Sequence, residues 1–171
     1  LGSLPDSQAE RDAYGAIVAG RLLAWDPKTQ KEAWRVEHKG TWNGGVLSTA
    51  GNLVFQGTAD GKLKAFTADK GESVWEFPVN TGTVAPPISY EIDGEQYISV
   101  NVGWGGAYAL VFGEYVMPES QSSINRIVTF KLGAKGELPE PEWRPRVTFN
   151  PPPETADKAT ALEGKILYQD N

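Results

Sequence analysis

Two stretches of the chain carry one pattern at one spacing: "AWDPKTQKEAW", Ala24 to Trp34, and "AFTADKGESVW", Ala65 to Trp75. In each, an alanine stands ten residues before a tryptophan. An aromatic follows the alanine, a polar turn fills the middle, and the tryptophan falls on the next strand. The two tryptophans are 41 residues apart. A repeat of about 40 to 45 residues, built from four short strands, is the sequence signature of a β-propeller blade. Each such sheet has two faces to bury, and only its neighbours can cover them. A large flat aromatic at one fixed place per blade fills the widening gap between blades, so Trp34 and Trp75 are expected to dock one blade on the next. Isolated core tryptophans in a β-sandwich would not need the matched spacing.

The residues between support strands. In "KEAWRVEH", Ala33, Arg35 and Glu37 alternate with Trp34, Val36 and His38, the period of a half-buried strand. Val46–Ser48, Leu53–Gln56, Lys62–Phe66 and Ser73–Phe77 read as four antiparallel strands of one full unit. A further unit is expected from Pro86, with strands near Ile88–Tyr90, Gln96–Val102 and Tyr108–Phe112 and Ile127–Leu132 as a fourth. Asp93-Gly94 is a two-residue hairpin dipeptide, since both positions tolerate positive φ. Residues 1–13 are polar and are expected to form a loop. An incomplete unit up to His38 makes about three blades in all, whereas closed propellers have roughly four to eight. The chain is therefore expected to be part of a larger protein.

Bulk properties narrow the function classes. A net charge of −6 with no Lys/Arg stripe argues against nucleic-acid binding. No apolar run reaches the roughly 18 residues of a membrane-spanning helix. The chain has no Cys and one His, which leaves neither a disulfide framework nor a multi-histidine metal site within it. His38, beside Lys39-Gly40, is expected at the surface or in a loop. Asp60, Asp69 and Asp93 sit beside Gly or Lys and are expected to form turns. From Gly133 the texture changes. "LPEPEWRP" and "NPPPE" should be extended, because each proline fixes φ and removes a donor, with Glu137, Glu140 and Glu142 solvated. "ETADKATALEGKILYQ" returns to helical spacing, with Thr155 as cap and Ala159, Leu162, Ile166 and Tyr168 as buried positions.

"GRLLAWDPKTQKEAW", "WNGGVLSTAGNLVFQGTADGKLKAF", "GESVWEFPVNTG" and "DGEQYISVNVGWGGAYAL" together resemble the C-terminal part of a quinoprotein alcohol dehydrogenase. The match covers about residues 14–132. The proline-rich segment and "ALEGKILYQDN" resemble the quinohaemoprotein type of that family. The resemblance implies an all-β fold: the C-terminal blades of an eight-bladed propeller over residues 1–132, a linker over 133–154, and over 155–171 a short helix leading towards a cytochrome c domain. It implies pyrroloquinoline quinone (PQQ) as cofactor, and calcium and haem c bound outside this segment. The implied partners are the remainder of the same propeller, a small alcohol substrate, and a cytochrome c domain or subunit as electron acceptor. The implied location is the periplasm. The family's catalytic aspartate and calcium ligands belong to earlier blades, so no catalytic or metal-binding residue is expected here. Gln30 stands where the family's docking motif has Gly, and Thr67 where it has Asp, so weaker docking is expected at both turns.

Two stretches are candidates for the cofactor pocket. "TWNGG", Thr41 to Gly45, precedes an innermost strand. Asn43 can donate to a carboxylate or quinone oxygen, Gly44 lets backbone approach a flat ligand, and Trp42 stands beside them. "GWGG", Gly103 to Gly106, lies between two strands; Trp104 is expected to edge or cover the cofactor, with Gly103 and Gly105 bringing backbone near its oxygens. On local sequence alone both stretches read first as tight glycine turns with a packing tryptophan. The resemblance makes Asn43, Trp104, Gly105, Trp42, Gly44 and Gly103 expected cofactor contacts. Two other readings compete: a non-catalytic propeller scaffold that binds partner proteins, and a PQQ enzyme for sugars. Bound quinone absorbance separates the first from the enzyme, and turnover of alcohols against aldoses the second.

Overall fold

In a computed structural model, residues 8–105, 124–139, 157, 159–160 and 162–164 are described. Among these residues, nine strands form three antiparallel sheets in chain order. Strands β1 (Ala19–Asp26) and β2 (Lys31–Lys39) make the first. Strands β3 (Val46–Thr49), β4 (Leu53–Gly57), β5 (Lys62–Thr67) and β6 (Ser73–Pro78) make the second, a four-stranded meander. Strands β7 (Ile88–Ile92), β8 (Glu95–Val102) and β9 (Arg126–Lys131) make the third. These are blades of a β-propeller, and the full unit falls within a residue or two of the expected strands.

The 41-residue repeat survives into the pairing. Ala24 lies opposite Trp34, and Ala65 opposite Trp75. The register then slips at the same point in each, between Ala24 and Trp25 and between Ala65 and Phe66. A bulge re-aims the side chains beyond it, so both hairpins present their tryptophan in the same way.

The buried apolar residues sit between sheets. One cluster joins Leu22 of the first blade to Val54 and Phe66 of the second, with Trp34, Val36 and Ala68 packed against it. The other joins Leu63 and Val79 to Val100, Val102 and Val128, with Phe77, Phe130 and Leu138 against it. Trp34 docks as the spacing predicts: its Nε1 donates to the carbonyl of Ala68 at 3.0 Å. Its ring lies over Gly71, where an added Cβ would stand 2.5 Å from Cε3. Trp75 stacks on Phe77 at 6.1 Å and meets the edge of Phe130 at 5.3 Å, yet keeps 38% of its surface exposed. The two expected weak turns are both closed. Gln30 takes φ 54°, the conformation that Gly71 takes in the repeat with φ 72°. Thr67 Oγ1 accepts from the Glu72 N–H, where Asp26 Oδ1 accepts from the Lys28 N–H.

Four expectations need correction. Gln8–Ile17 is a helix, α1, where residues as far as 13 are expected to form a loop. Ala9, Glu10 and Ala13 are strong helix formers, and polarity alone does not separate an exposed helix from a loop. In the third blade, β9 pairs directly with β8, from Tyr97 opposite Lys131 to Val102 opposite Arg126. The segment expected as a fourth strand is thus the third, and Tyr108–Phe112 lies outside the described residues. Apolar alternation in β8 and β9 matches, and Ser99 Oγ meets Thr129 Oγ1 at 2.8 Å across the pair. Ala159 and Leu162 are exposed, not buried, since no described element covers that helical turn. His38 is buried. The alternation that turns Trp34 and Val36 inward carries His38 with them, and this outweighs its polar neighbours.

The chain after β9 has no regular structure over 134–139. It runs back along the third blade, where Leu138 packs on the inter-blade core and Arg126 Nη1 donates to the Pro139 carbonyl at 3.3 Å. Asp157 Oδ1 accepts from the Thr160 N–H at 2.9 Å, capping helical residues 159–160; Thr155, Ile166 and Tyr168 lie outside the described residues. Asp93 (φ 52°) and Gly94 (φ 80°) form the two-residue turn between Ile92 and Glu95.

Candidate functional site

Antiparallel pairing gathers the glycine-rich loops at one end of the blades. The start of β3 pairs with the end of β4, Val46 opposite Gln56, and the end of β4 with the start of β5, Gly57 opposite Leu63. In the third blade the end of β8 meets the start of β9. The segment before β7 joins this end through a parallel bridge between Thr83 and Gly103. Residues 40–45, 58–61, 80–86 and 103–105 therefore share one rim.

Within "TWNGG", Trp42 takes φ 63°, a left-handed conformation that costs a tryptophan of order 1–3 kcal/mol. Its indole is half exposed. Asn43 Oδ1 accepts from the Ala59 N–H at 2.9 Å, and Nδ2 donates to the Gly40 carbonyl at 3.3 Å. The same amide packs on Gly20 of β1, where a Cβ would collide with Nδ2. Asn43 thus ties the first blade to the second. Gly44 is buried: its N–H donates to the Gly57 carbonyl at 2.8 Å, and a Cβ there would stand 2.9 Å from the carbonyls of Thr83 and Ala85. The close backbone approach expected of Gly44 is made, and its partner is the segment entering the third blade.

The second loop is equally enclosed. Gly103 takes φ 137° and its N–H donates to the Gly82 carbonyl at 2.9 Å. Trp104 is 1% exposed, its ring lying against Gly82 so closely that no Cβ fits there. The chain itself covers the indole expected to cover a cofactor. Gly105 takes φ 64° and faces Val84; Gly106 lies outside the described residues. Gly103 and Gly105 line a cleft of about 360 Å³ together with Asn101, Asn125 and Arg126. The structure brings Asn43 and Gly44 together, and Gly103, Trp104 and Gly105 together, with residues 82–86 between the two groups.

Several polar groups at this rim escaped the sequence reading. Thr81 and Thr83 are fully buried, and their hydroxyls have no hydrogen-bond partner among the described residues. Such a group costs about 1–3 kcal/mol. His38 Nε2 and Gln56 Oε1 are 2.9 Å apart, and Gln56 Nε2 donates to the Gly44 carbonyl at 2.9 Å. Burial pushes the His38 imidazole below its usual range, against the upward pull of the Gln56 bond. Burial would raise Asp60, but the Thr58 hydroxyl and the Lys64 ammonium, 3.1 Å away, outweigh it and hold the carboxyl below the usual range. The turn role expected of Asp60 stands; Asp69 likewise accepts from Asn52 Nδ2 at 3.0 Å. For Gln56 a signal existed: it holds an inward position two residues after Val54, where a polar group needs a partner. Arg126 and the threonines carried none, because their neighbours come from distant strands. Among the described residues there is no group of three or more His, Cys, Asp and Glu that could hold a metal ion.

Residues 19–98 match the model of the PQQ glucose/ethanol/alcohol dehydrogenase β-propeller domain. They belong to that β-propeller family. The chain is 46% identical over 158 residues to quinohemoprotein alcohol dehydrogenase ADH IIB of Pseudomonas putida, covering 92% of this chain and 23% of that protein. It is 52% identical over 120 residues to 1-butanol dehydrogenase (cytochrome c) of Thauera butanivorans, covering 70% of this chain and 17% of that protein. The solved structure of quinohemoprotein alcohol dehydrogenase ADHIIG of Pseudomonas putida HK5 superposes with a TM-score of 0.72 at 42% identity, over 88% of this chain and 22% of that one. The chain thus spans under a quarter of the length of these relatives. The blade pairing, the inter-blade cores and the family match agree on a PQQ-type propeller.

Proposed function

We propose that this chain forms part of the propeller of a PQQ-dependent alcohol dehydrogenase that oxidises alcohols to aldehydes and passes electrons to haem c or another acceptor. The observation that carries the reading is the rim itself. Two glycine-tryptophan loops from consecutive blades are locked onto one connecting segment, beside a cleft lined by amides and an arginine. The relatives named as alcohol dehydrogenases favour alcohols over sugars and over a scaffold role.

The residues present suit an acidic, oxygen-rich, planar cofactor. Arg126 and the amides of Asn101 and Asn125 supply charged and neutral donors towards the cleft. Buried Thr81 and Thr83 hydroxyls remain as donors without partners among the described residues. PQQ, when bound, supplies the electron-accepting chemistry, and the protein supplies position and electrostatics. On this reading Asn43 and Gly44 hold the wall of the pocket by fixing the rim of the second blade, and Gly103 and Gly105 offer backbone to the cleft. Trp42 is the exposed aromatic of the group, and Trp104 supports the rim from beneath. The general base and calcium ligands belong to other blades. We further propose residues 1–132 as propeller, 133–154 as linker and 155–171 as the approach to a cytochrome c domain, in a periplasmic protein.

The test is reconstitution of the full-length protein with PQQ and calcium, followed by turnover of ethanol and 1-butanol against glucose with an artificial electron acceptor. Quinone absorbance together with alcohol turnover supports the reading. Tight quinone binding with glucose as the better substrate moves it to the sugar enzymes, and no quinone binding returns it to a scaffold.

A further inference from the structure

Gln56 and His38 are a buried polar pair placed between two blades, beside an otherwise apolar cluster of Leu22, Val54 and Phe66. Both side chains are at least nine-tenths buried. A buried amide is costly unless both its ends are bonded, and here both are. One end of the Gln56 amide meets His38 of the first blade; the other donates to the carbonyl of Gly44, in the loop that carries Trp42 and Asn43. The orientation admits no flip, because turning the amide over would set Oε1 against the Gly44 carbonyl oxygen. With Oε1 towards His38, the imidazole must donate from Nε2. His38 therefore fixes the amide, and the amide fixes the loop. An apolar pair would fill this space as well, so packing alone does not account for the choice of residues.

We propose that Gln56 is a positioning residue for the "TWNGG" loop at the rim of the proposed cofactor pocket, and that His38, donating from Nε2, holds the Gln56 amide in its working orientation. The cofactor part rests on the function proposed above. Gln56 touches neither substrate nor cofactor in this account; it acts through the Gly44 carbonyl. A positioned carbonyl at Gly44 keeps the neighbouring N–H on Gly57 and holds the left-handed turn at Trp42.

The decisive variant is Gln56→Glu in the full-length protein. It keeps shape and can still accept from His38, but an ionised carboxylate cannot donate to Gly44. His38→Gln is the milder second variant, since its amide can still donate to Gln56, and Val54→Ala on the same strand is the control for lost packing alone. Two readouts are needed. Hydrogen exchange of the peptide spanning residues 41–46 is measured without cofactor, and the dissociation constant for PQQ is measured by titration well below the melting temperature. Gln56→Glu is expected to speed exchange in that peptide about tenfold and to weaken PQQ binding about tenfold or more. His38→Gln should have a smaller effect of the same sign, and Val54→Ala should lower the melting temperature without changing either readout. Unchanged exchange in Gln56→Glu overturns the positioning role whatever the cofactor. Faster exchange with unchanged PQQ affinity overturns the link to the cofactor. If the wild-type protein binds no PQQ, the proposed function fails and the cofactor part of this inference fails with it, while the exchange result still decides whether Gln56 holds the loop.

Discussion

The inter-blade dock can be broken at one atom. In Gly71→Ala the new Cβ would stand 2.5 Å from Cε3, 2.8 Å from Cδ2 and 3.1 Å from Cζ3 of Trp34. Ordinary carbon contacts lie near 3.5–4.0 Å, so the ring must retreat by roughly 1 Å. That retreat draws Nε1 away from the Ala68 carbonyl, now 3.0 Å distant, a bond worth about 1 kcal/mol. Overpacking of this kind costs about 1–3 kcal/mol, and alanine at φ 72° about 1–2 kcal/mol more. A stiffer unfolded chain returns about 0.4–1 kcal/mol. The net expectation is a loss of about 3 kcal/mol. Gln30→Gly changes the equivalent turn of the previous repeat in the opposite sense, relieving a left-handed glutamine, and should be neutral to about 1 kcal/mol stabilising. Guanidinium unfolding of the full-length protein measures both. A double-mutant cycle with Trp34→Ala isolates the ring: once the indole is gone, only the backbone penalty at Gly71 should remain. If Gly71→Ala costs less than about 1 kcal/mol, or costs the same with and without the indole, Trp34 is not a docking residue.

Asn43→Ala removes the acceptor for the Ala59 N–H in a half-buried position, and should cost about 2 kcal/mol in the same unfolding measurement. Gly82→Ala drives a methyl group into the Trp104 ring; a loss of about 2 kcal/mol or more is expected, and a melting temperature within a degree of wild type would mean the ring stands elsewhere. His38 gives a pH dependence of defined sign. Burial lowers its folded pKa below the unfolded value of 6.5, so the folded state resists protonation. Stability is then full above about pH 6.5 and falls as pH drops from there through the lowered folded value. Lys64, Asp60 and Glu37 act on the imidazole as well, and His38→Gln removes the whole of this contribution, so the slope in that window should flatten.

What was legible in the chain was whatever one strand or one turn decides by itself. The alternation in "KEAWRVEH" and the Asp93-Gly94 hairpin needed no tertiary information, and the 41-residue spacing carried the blade architecture because pairing and bulge repeat with it. The third blade was less legible. Two apolar segments competed for the free edge of β8, and only the match of Val100 to Val128 and Ser99 to Thr129 decides for β9. The polar start misled for another reason: a short helix and a loop of the same polar composition cannot be told apart by polarity alone.

The site shows where such reading stops. "TWNGG" and "GWGG" could be found as unusual loops, but glycine beside tryptophan has two meanings: a backbone approached by a ligand, or one approached by a neighbouring blade. At Gly82 and Gly71 the approaching group is a tryptophan of the chain itself, and at Gly44 it is the backbone of Thr83 and Ala85. The same residue types thus serve docking at one end of a blade and the rim of a cleft at the other. What separates the two uses is the polar set behind the loop. At Trp34 one indole N–H meets one carbonyl, while behind Gly44 a histidine and a glutamine are buried together to hold a single carbonyl oxygen. The dock at Trp34 is made by shape and that one bond. On the function proposed above, two buried polar side chains that orient one peptide group mark residues 41–45 as the loop whose geometry matters.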